Sequence, residues 1–286
     1  MTATPFDRTD VAYFRKDGDT LLPNQPACSM WSDDQMHGVA LSGALARAAE
    51  QQLAAVDRPE LIPARWTVDL FKPARMQPCS FNTEVVREGS RICLVDVTMT
   101  QHGQRVARAS ATFLKPTAAA PGEVWEPAER PSPPPLDVAP PATSAHVPFF
   151  RSDSAWSQDF REHQNAGRKA SWNSSFPVVA GERLTGFQAA AAIADGASMV
   201  TNWGTGGVEY INTDIALTLA RPPAGTEIGL LATDRVEHDG IAVGTATMYD
   251  REGPLGTVIV AALANAGRTV NLSGVEYTDD GERRQV

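Results

Sequence analysis

Alternating apolar and polar positions fill two stretches of the chain, and each stretch follows a run of small apolar residues at helical spacing. In the first half, Met36–Leu53 predicts a helix built largely from Ala and Gly. Ser32, with Gln35 three residues later, introduces it in the manner of a capping box. In the second half, Thr185 and Gln188 repeat that arrangement ahead of AAAAIADGASMV. After each helix comes a strand ending in a basic residue and proline, Thr67–Pro73 and Asp214–Pro222. Three alternating segments then follow in both halves: FNTEVVREG, RICLVDVTMTQHG and QRVARASATFL in one, EIGLLATDRVEHDG, IAVGTATMYDREG and PLGTVIVAALA in the other. Pro73, Gly89 and Gly103 are spaced 16 then 14 residues, and Pro222, Gly240 and Gly253 are spaced 18 then 13. Matched turns at matched intervals predict an internal duplication. Helices this poor in bulk let a curved sheet approach closely, so the expected architecture is α+β, a sheet wrapped around a central helix, twice over.

Ten of the 21 prolines lie between Pro116 and Pro148, too dense for helix or central strand. The expected organisation is a first unit over 1–115, a Pro-rich linker over 116–148, a second unit over 149–270 and a tail over 271–286.

Composition narrows the chemistry. A formal net charge of -9 argues against non-specific capture by nucleic acid or an anionic membrane, and 42% hydrophobic residues suffice for a real core. The chain begins with acidic residues and no apolar run of signal-peptide length, and nothing reaches membrane-spanning length, so a cytoplasmic protein is expected. Cys28, Cys79 and Cys93 form no CxxC pair and read as reduced thiols, and the five histidines are scattered. Neither a metal nor another cofactor is expected. With no GxSxG, a nucleophilic serine is not signalled, and Ser42 reads as a small helix residue.

MHGVALSGALARAAE (Met36 to Glu50), VDLFKPA, VVREG, AAIADGAS, YINTDIALTLARPPAGTEIGL and YDREGPLG, in this order and spacing, resemble the double hot-dog acyl-CoA thioesterases of the bacterial thioesterase II type and their actinobacterial relatives. The resemblance covers nearly the whole chain. It implies two tandem hot-dog units, an acyl-CoA substrate, hydrolysis by carboxylate-activated water, and assembly into homodimers or larger homo-oligomers in lipid metabolism. In that family a helix aspartate, a strand hydroxyl residue and a glutamine orient the attacking water. Those positions fall here on Asp195, on Asn212 with Thr213 beside it, and near Ala261, which has no polar side chain.

Thioester hydrolysis needs a polarised carbonyl, a positioned water and a base. Asp195, Asn212 and Thr213 are the catalytic candidates. His37 and Gly38, in the first helical turn with its free N–H groups, are substrate-binding candidates, as are Asp214 and Gln188. Asp69 is a second carboxylate to weigh. Lys72, Arg105, Arg108 and Arg221 are candidates for CoA phosphates, and Trp156, Trp172 and Trp203 for a tunnel lining. Two other functions remain open: a binding protein for acyl-CoA or acyl-lipid that has lost the chemistry, which Ala261 favours, and a hydratase, against which the lack of a paired His and acid counts.

Overall fold

Duplication in the sequence becomes duplication in space. The computed structural model describes residues 11–265, 267–277 and 283–285. A hairpin of β1 (Phe14–Asp17) and β2 (Thr20–Pro23) leads to helix α1 (Gly38–Ala55), then β3 (Ile62–Leu70), β4 (Ser80–Gly89), β5 (Ile92–Gln101) and β6 (Gln104–Leu114). The described residues between Leu114 and His146 form no helix or strand. The second half holds β7 (His146–Arg151), α2 (Phe160–His163), β8 (Ala170–Ser174), α3 (Gly186–Ala194) and α4 (Gly196–Asn202). It continues through the small hairpin β9 (Trp203–Gly204) and β10 (Gly207–Val208) to β11 (Tyr210–Asn212), β12 (Asp214–Leu219), β13 (Glu227–His238), β14 (Ile241–Asp250) and β15 (Gly253–Ala264). A last pair, β16 (Val275–Tyr277) and β17 (Arg283–Gln285), follows.

One antiparallel sheet runs through both halves in the order β4-β5-β6-β3-β12-β15-β14-β13-β8-β7, with β11 also on β15. The first four strands, 4-5-6-3, are repeated as 13-14-15-12, and the units meet where β3 pairs with β12 and Asp69 stands opposite Asp214. The equivalent hairpins β5–β6 and β14–β15 differ in detail, but His102-Gly103 and Asp239-Gly240 turn their hairpins identically, with both residues of each pair at positive φ. That is the type I′ geometry that matches strand twist. This is the double hot-dog expected from the sequence.

The small residues of the helices serve close packing. α1 is buried from Ala40 through Ala49 and α3 from Phe187 through Ala194, and the two helices lie against each other inside the sheet. A side chain on Gly43 would press on Val178 and Ala192. Ser42, fully buried, donates its hydroxyl to the Ala191 carbonyl at 2.5 Å and accepts from Trp66 Nε1 at 2.9 Å. Helix α1, helix α3 and strand β3 are thereby joined at one point. A buried donor such as the Trp66 N–H costs about 1–3 kcal/mol if left unpaired, so this serine is structural.

Three local expectations are corrected. The first helix starts at Gly38, with His37 rather than Ser32 as its cap, because Met36 and Cys28 form a bridge that holds the chain extended up to that point. The second helix breaks at Asp195 into α3 and α4. The basic-Pro tails of Thr67–Pro73 and Asp214–Pro222 lie beyond the strands, which stop at Leu70 and Leu219, where proline can no longer donate to the ladder.

Candidate active site

At the N-terminus of α1, where the two units meet, lies a cavity of about 550 Å³. His37, Gly38 and Val39 form one wall, and Asp195, Asn212 and Thr213 form another. Five of the seven site candidates are thus brought together from segments more than 150 residues apart.

Asp195 occupies the junction between α3 and α4 with helical backbone angles, φ -60 and ψ -29. Gly196 beside it lets α4 approach β13: a Cβ there would lie 3.3 Å from Leu230. The Asp195 carboxylate accepts from Asn212 Nδ2 at 2.9 Å and from the Val39 backbone N–H in the first turn of α1. It fills the space a side chain on Gly38 would need, since a Cβ at that position would overlap it. Burial pushes its pKa up to about 6, and the two donors only partly offset that rise. The carboxyl is therefore ionised at neutral pH yet basic enough to take a proton.

His37 caps α1: its Nδ1 accepts from the Ala40 N–H at 3.1 Å, while Nε2 lies 2.8 Å from the Pro26 carbonyl. An accepting Nδ1 leaves Nε2 as the N–H donor, which assigns the neutral tautomer. Both ring nitrogens thus hold the helix start in place. Asn212 reaches Asp195 from β11, and its amide also lies 3.3 Å from the Asp214 carbonyl. Thr213, exposed at the cavity edge, donates through both N–H and Oγ1 to the Ala261 carbonyl.

Two candidates lie elsewhere. Gln188 does not line the cavity: its Nε2 donates to Glu50 at 2.7 Å, and its N–H to the capping Thr185. Glu50 is a half-buried carboxylate whose pKa is raised by desolvation, and it captures these donors at the start of α3 just as Asp195 captures Val39 at the start of α1. At this mirrored position the space beside Gly186 is taken by the Pro223 and Gly225 carbonyls. Asp214 turns to the sheet instead, accepting from the Ala261 N–H at 2.7 Å, and it too lies outside the cavity lining. Ala261, near which the resemblance puts a glutamine, meets Thr213 and Asp214 through its backbone and does not line the cavity.

Of the remaining candidates, Asp69 pairs with Arg108 at 2.6 Å and Arg221 with Asp250 at 2.5 Å, while Lys72 lines the cavity. Trp172 packs on Tyr249, Trp203 on Phe150, and Trp156 under Arg151. None of these three tryptophans lines the cavity. Its aromatic lining comes instead from Phe71, from Tyr210 on β11, and from Tyr13, Trp31 and Phe176, which lie in irregular segments without the periodicity that would reveal them. Among the described residues no group of three or more His, Cys, Asp or Glu is placed to hold a metal ion. No described helix is long and apolar enough to cross a membrane.

The chain is similar in fold to several solved structures. It aligns with a TesB protein of Mycobacterium avium subspecies paratuberculosis at 16% identity, over 88% of this chain and 95% of that one, with a TM-score of 0.63. A hot-dog-fold protein of Alicyclobacillus acidocaldarius aligns at 20% identity over 91% and 97%, TM-score 0.64. The acyl-CoA thioesterase II TesB2 of Mycobacterium marinum aligns at 14% identity over 87% and 93%, TM-score 0.58. No curated protein sequence matches the chain. Residues 28–114 match the acyl-CoA thioesterase N-terminal domain and residues 119–262 match the acyl-CoA thioesterase C-terminal domain. With both domains present in order on this fold, the chain belongs to the acyl-CoA thioesterase family.

Proposed function

We propose that the protein hydrolyses a fatty or other acyl-CoA thioester, with Asp195 as general base and Asn212 as the group that orients it. The observation that carries this reading is the Asp195 carboxylate itself: set in the cavity wall against the first turn of a helix, held by two donors, with a pKa near 6. Water placed between that carboxylate and the thioester carbonyl gives up a proton to Asp195 as its oxygen bonds to the carbonyl carbon. The N-terminal turn of α1 supplies positive potential for the oxygen that becomes an oxyanion. Collapse breaks the C–S bond, and the proton held by Asp195 passes to the departing thiolate, leaving a free acid and CoA. In this reading Thr213, at the cavity edge, meets the pantetheine arm and Lys72, in the lining, meets the phosphates. The proposal places this activity on cytoplasmic acyl-CoA in lipid metabolism.

Free-thiol release from a series of acyl-CoA substrates tests it. Wild-type protein is expected to release CoA with kcat rising through about pH 6 to a plateau, and Asp195→Ala to lose at least about a hundredfold. Release that survives Asp195→Ala would discard the mechanism. Binding without release from any substrate would favour a protein that holds acyl-CoA without cleaving it, as Ala261 in place of glutamine would allow.

We also propose that the protein is a homodimer joined through the outer face of its sheet. Val236, Ile241, Val243, Ile259 and Leu263 are each 44–63% exposed there. Register sets Val236 beside Val243 and Ile241 beside Leu263, and Thr245, Ile259 and Ala216 continue this surface across β12, with Asp234 opposite Thr245 at its border. A contiguous apolar stripe of this kind suits a self-complementary two-fold contact with a second copy.

A further inference from the structure

The cavity lining grades from exposed to buried. Phe71, Lys72 and Thr213 are exposed, whereas two groups of lining residues are buried: Met36, Leu41 and Ile193 in the main core, and Val208, Val270 and Leu272, at 8%, 9% and 1% exposed, apart from it. The second group belongs to a separate apolar cluster that also contains Phe150, Phe160 and Trp203, against which Met30, Trp31 and Met199 pack. Val270 and Leu272 lie on the segment after β15, beyond residue 262, where the match to the acyl-CoA thioesterase C-terminal domain ends.

That segment is fastened rather than merely adjacent. Val208 N–H donates to the Val270 carbonyl at 2.9 Å and Val270 N–H to the Val208 carbonyl at 3.0 Å. Gln164 Oε1 accepts from the N–H groups of Leu272 and Ser273, both at 3.0 Å. Gly207, at φ +97, has no Cβ to obstruct the Val270 carbonyl, which any side chain there would strike. These bonds fix two aliphatic side chains across the buried end of the cavity.

We propose that Val270 and Leu272 form the floor of the acyl pocket, and that this C-terminal segment selects acyl groups by length and by an uncharged, apolar terminus. The inference rests on the acyl-CoA reading of the site. With Asp195 and the first turn of α1 holding the thioester, the acyl chain extends along the wall of Met30, Trp31 and Met199 until it meets Leu272. Among the described residues that line the cavity, the one Lys or Arg is Lys72, which is exposed. His146, also in the lining, donates Nδ1–H to the Val147 carbonyl and is held neutral by burial. A carboxylate at the far end of an acyl group would be desolvated there with no Lys or Arg of the lining beside Val270 and Leu272 to pair with it, so dicarboxylic acyl thioesters are disfavoured.

The test uses the full-length protein and a chain-length series of saturated S-alkyl-CoA thioethers, which bind but cannot be hydrolysed, plus one member ending in a carboxylate. Binding is read by titration and by thermal shift, with hydrolysis of the matching thioesters run alongside. Leu272→Ala and the milder Val270→Ala are expected to move the tightest binding to longer chains. Leu272→Trp is expected to weaken the longest chain accepted by wild type about tenfold or more for each methylene it displaces. The carboxylate-ended thioether is expected to bind at least about a hundredfold more weakly than its methyl-ended counterpart.

A profile that is the same in wild type and all three folded variants overturns the floor assignment, even if hydrolysis is robust. So does tight binding of the carboxylate-ended member, or a wild type that binds none of the series. A shifted binding profile without hydrolysis in any protein supports the floor while removing the proposed reaction.

Discussion

Burial and hydrogen bonding act on Asp195 in opposite senses, and burial prevails. A carboxyl whose pKa is higher in the folded chain than in the unfolded one binds its proton more tightly when folded. This group's contribution to stability is then fully present below pH about 3.8 and is lost as pH rises through about 6. The full shift corresponds to about 3 kcal/mol, a substantial part of a domain's net stability. Asp195→Asn keeps the acceptor for Asn212 and Val39 without the charge. It is therefore expected to be inactive and up to about 3 kcal/mol more stable than wild type at pH about 8, with the gap closing toward pH about 4. Urea unfolding at both pH values measures this; a gap that does not change with pH would mean that the carboxylate is not strained by its surroundings.

The two central helices are legible in the chain as runs of alanine and glycine, but how they meet is not. Spacing alone places Gln188 on one face with Asp195, and only the packed helices show Gln188 spent on Glu50. The same packing explains Gly38. It is the residue of α1 over which the Asp195 carboxylate lies, so its missing Cβ is a requirement of the neighbouring helix rather than of its own backbone. Gly38→Ala is expected to displace the carboxylate, to lower kcat by about a hundredfold and to cost about 1–3 kcal/mol. Kinetics and denaturant melts of the purified variant check both numbers, and unchanged kcat would show that the carboxylate can move aside without consequence.

Joining β3 to β12 turns two half-sheets into one surface, inside which the helices are covered and outside which the aliphatic stripe is not. A protein that exposes such a stripe is expected to be dimeric at micromolar concentration. Val243→Lys combined with Ile259→Lys sets like charges near the two-fold contact and is expected to yield a monomer with unaltered secondary structure. Light scattering on both proteins decides this, and a wild type that stays monomeric at high concentration removes the proposed interface.

The alternation of residues such as Ile92, Leu94 and Val106, the matched turns and the small-residue helices are local and periodic, so the two-unit fold could be read from the chain. Asp195 is marked by a resemblance carried by a short motif, which needs no knowledge of its surroundings. Its partners are another matter. Val39 and Gly38 lie more than 150 residues away, and no pattern in either segment signals the other. The diversion of Gln188 and Asp214, the wall of Tyr13, Trp31 and Phe176, and the floor of Val270 and Leu272 likewise arise from contacts between distant segments. Periodicity reports which face of an element is buried; which neighbour covers that face is settled only when every element competes for the same space.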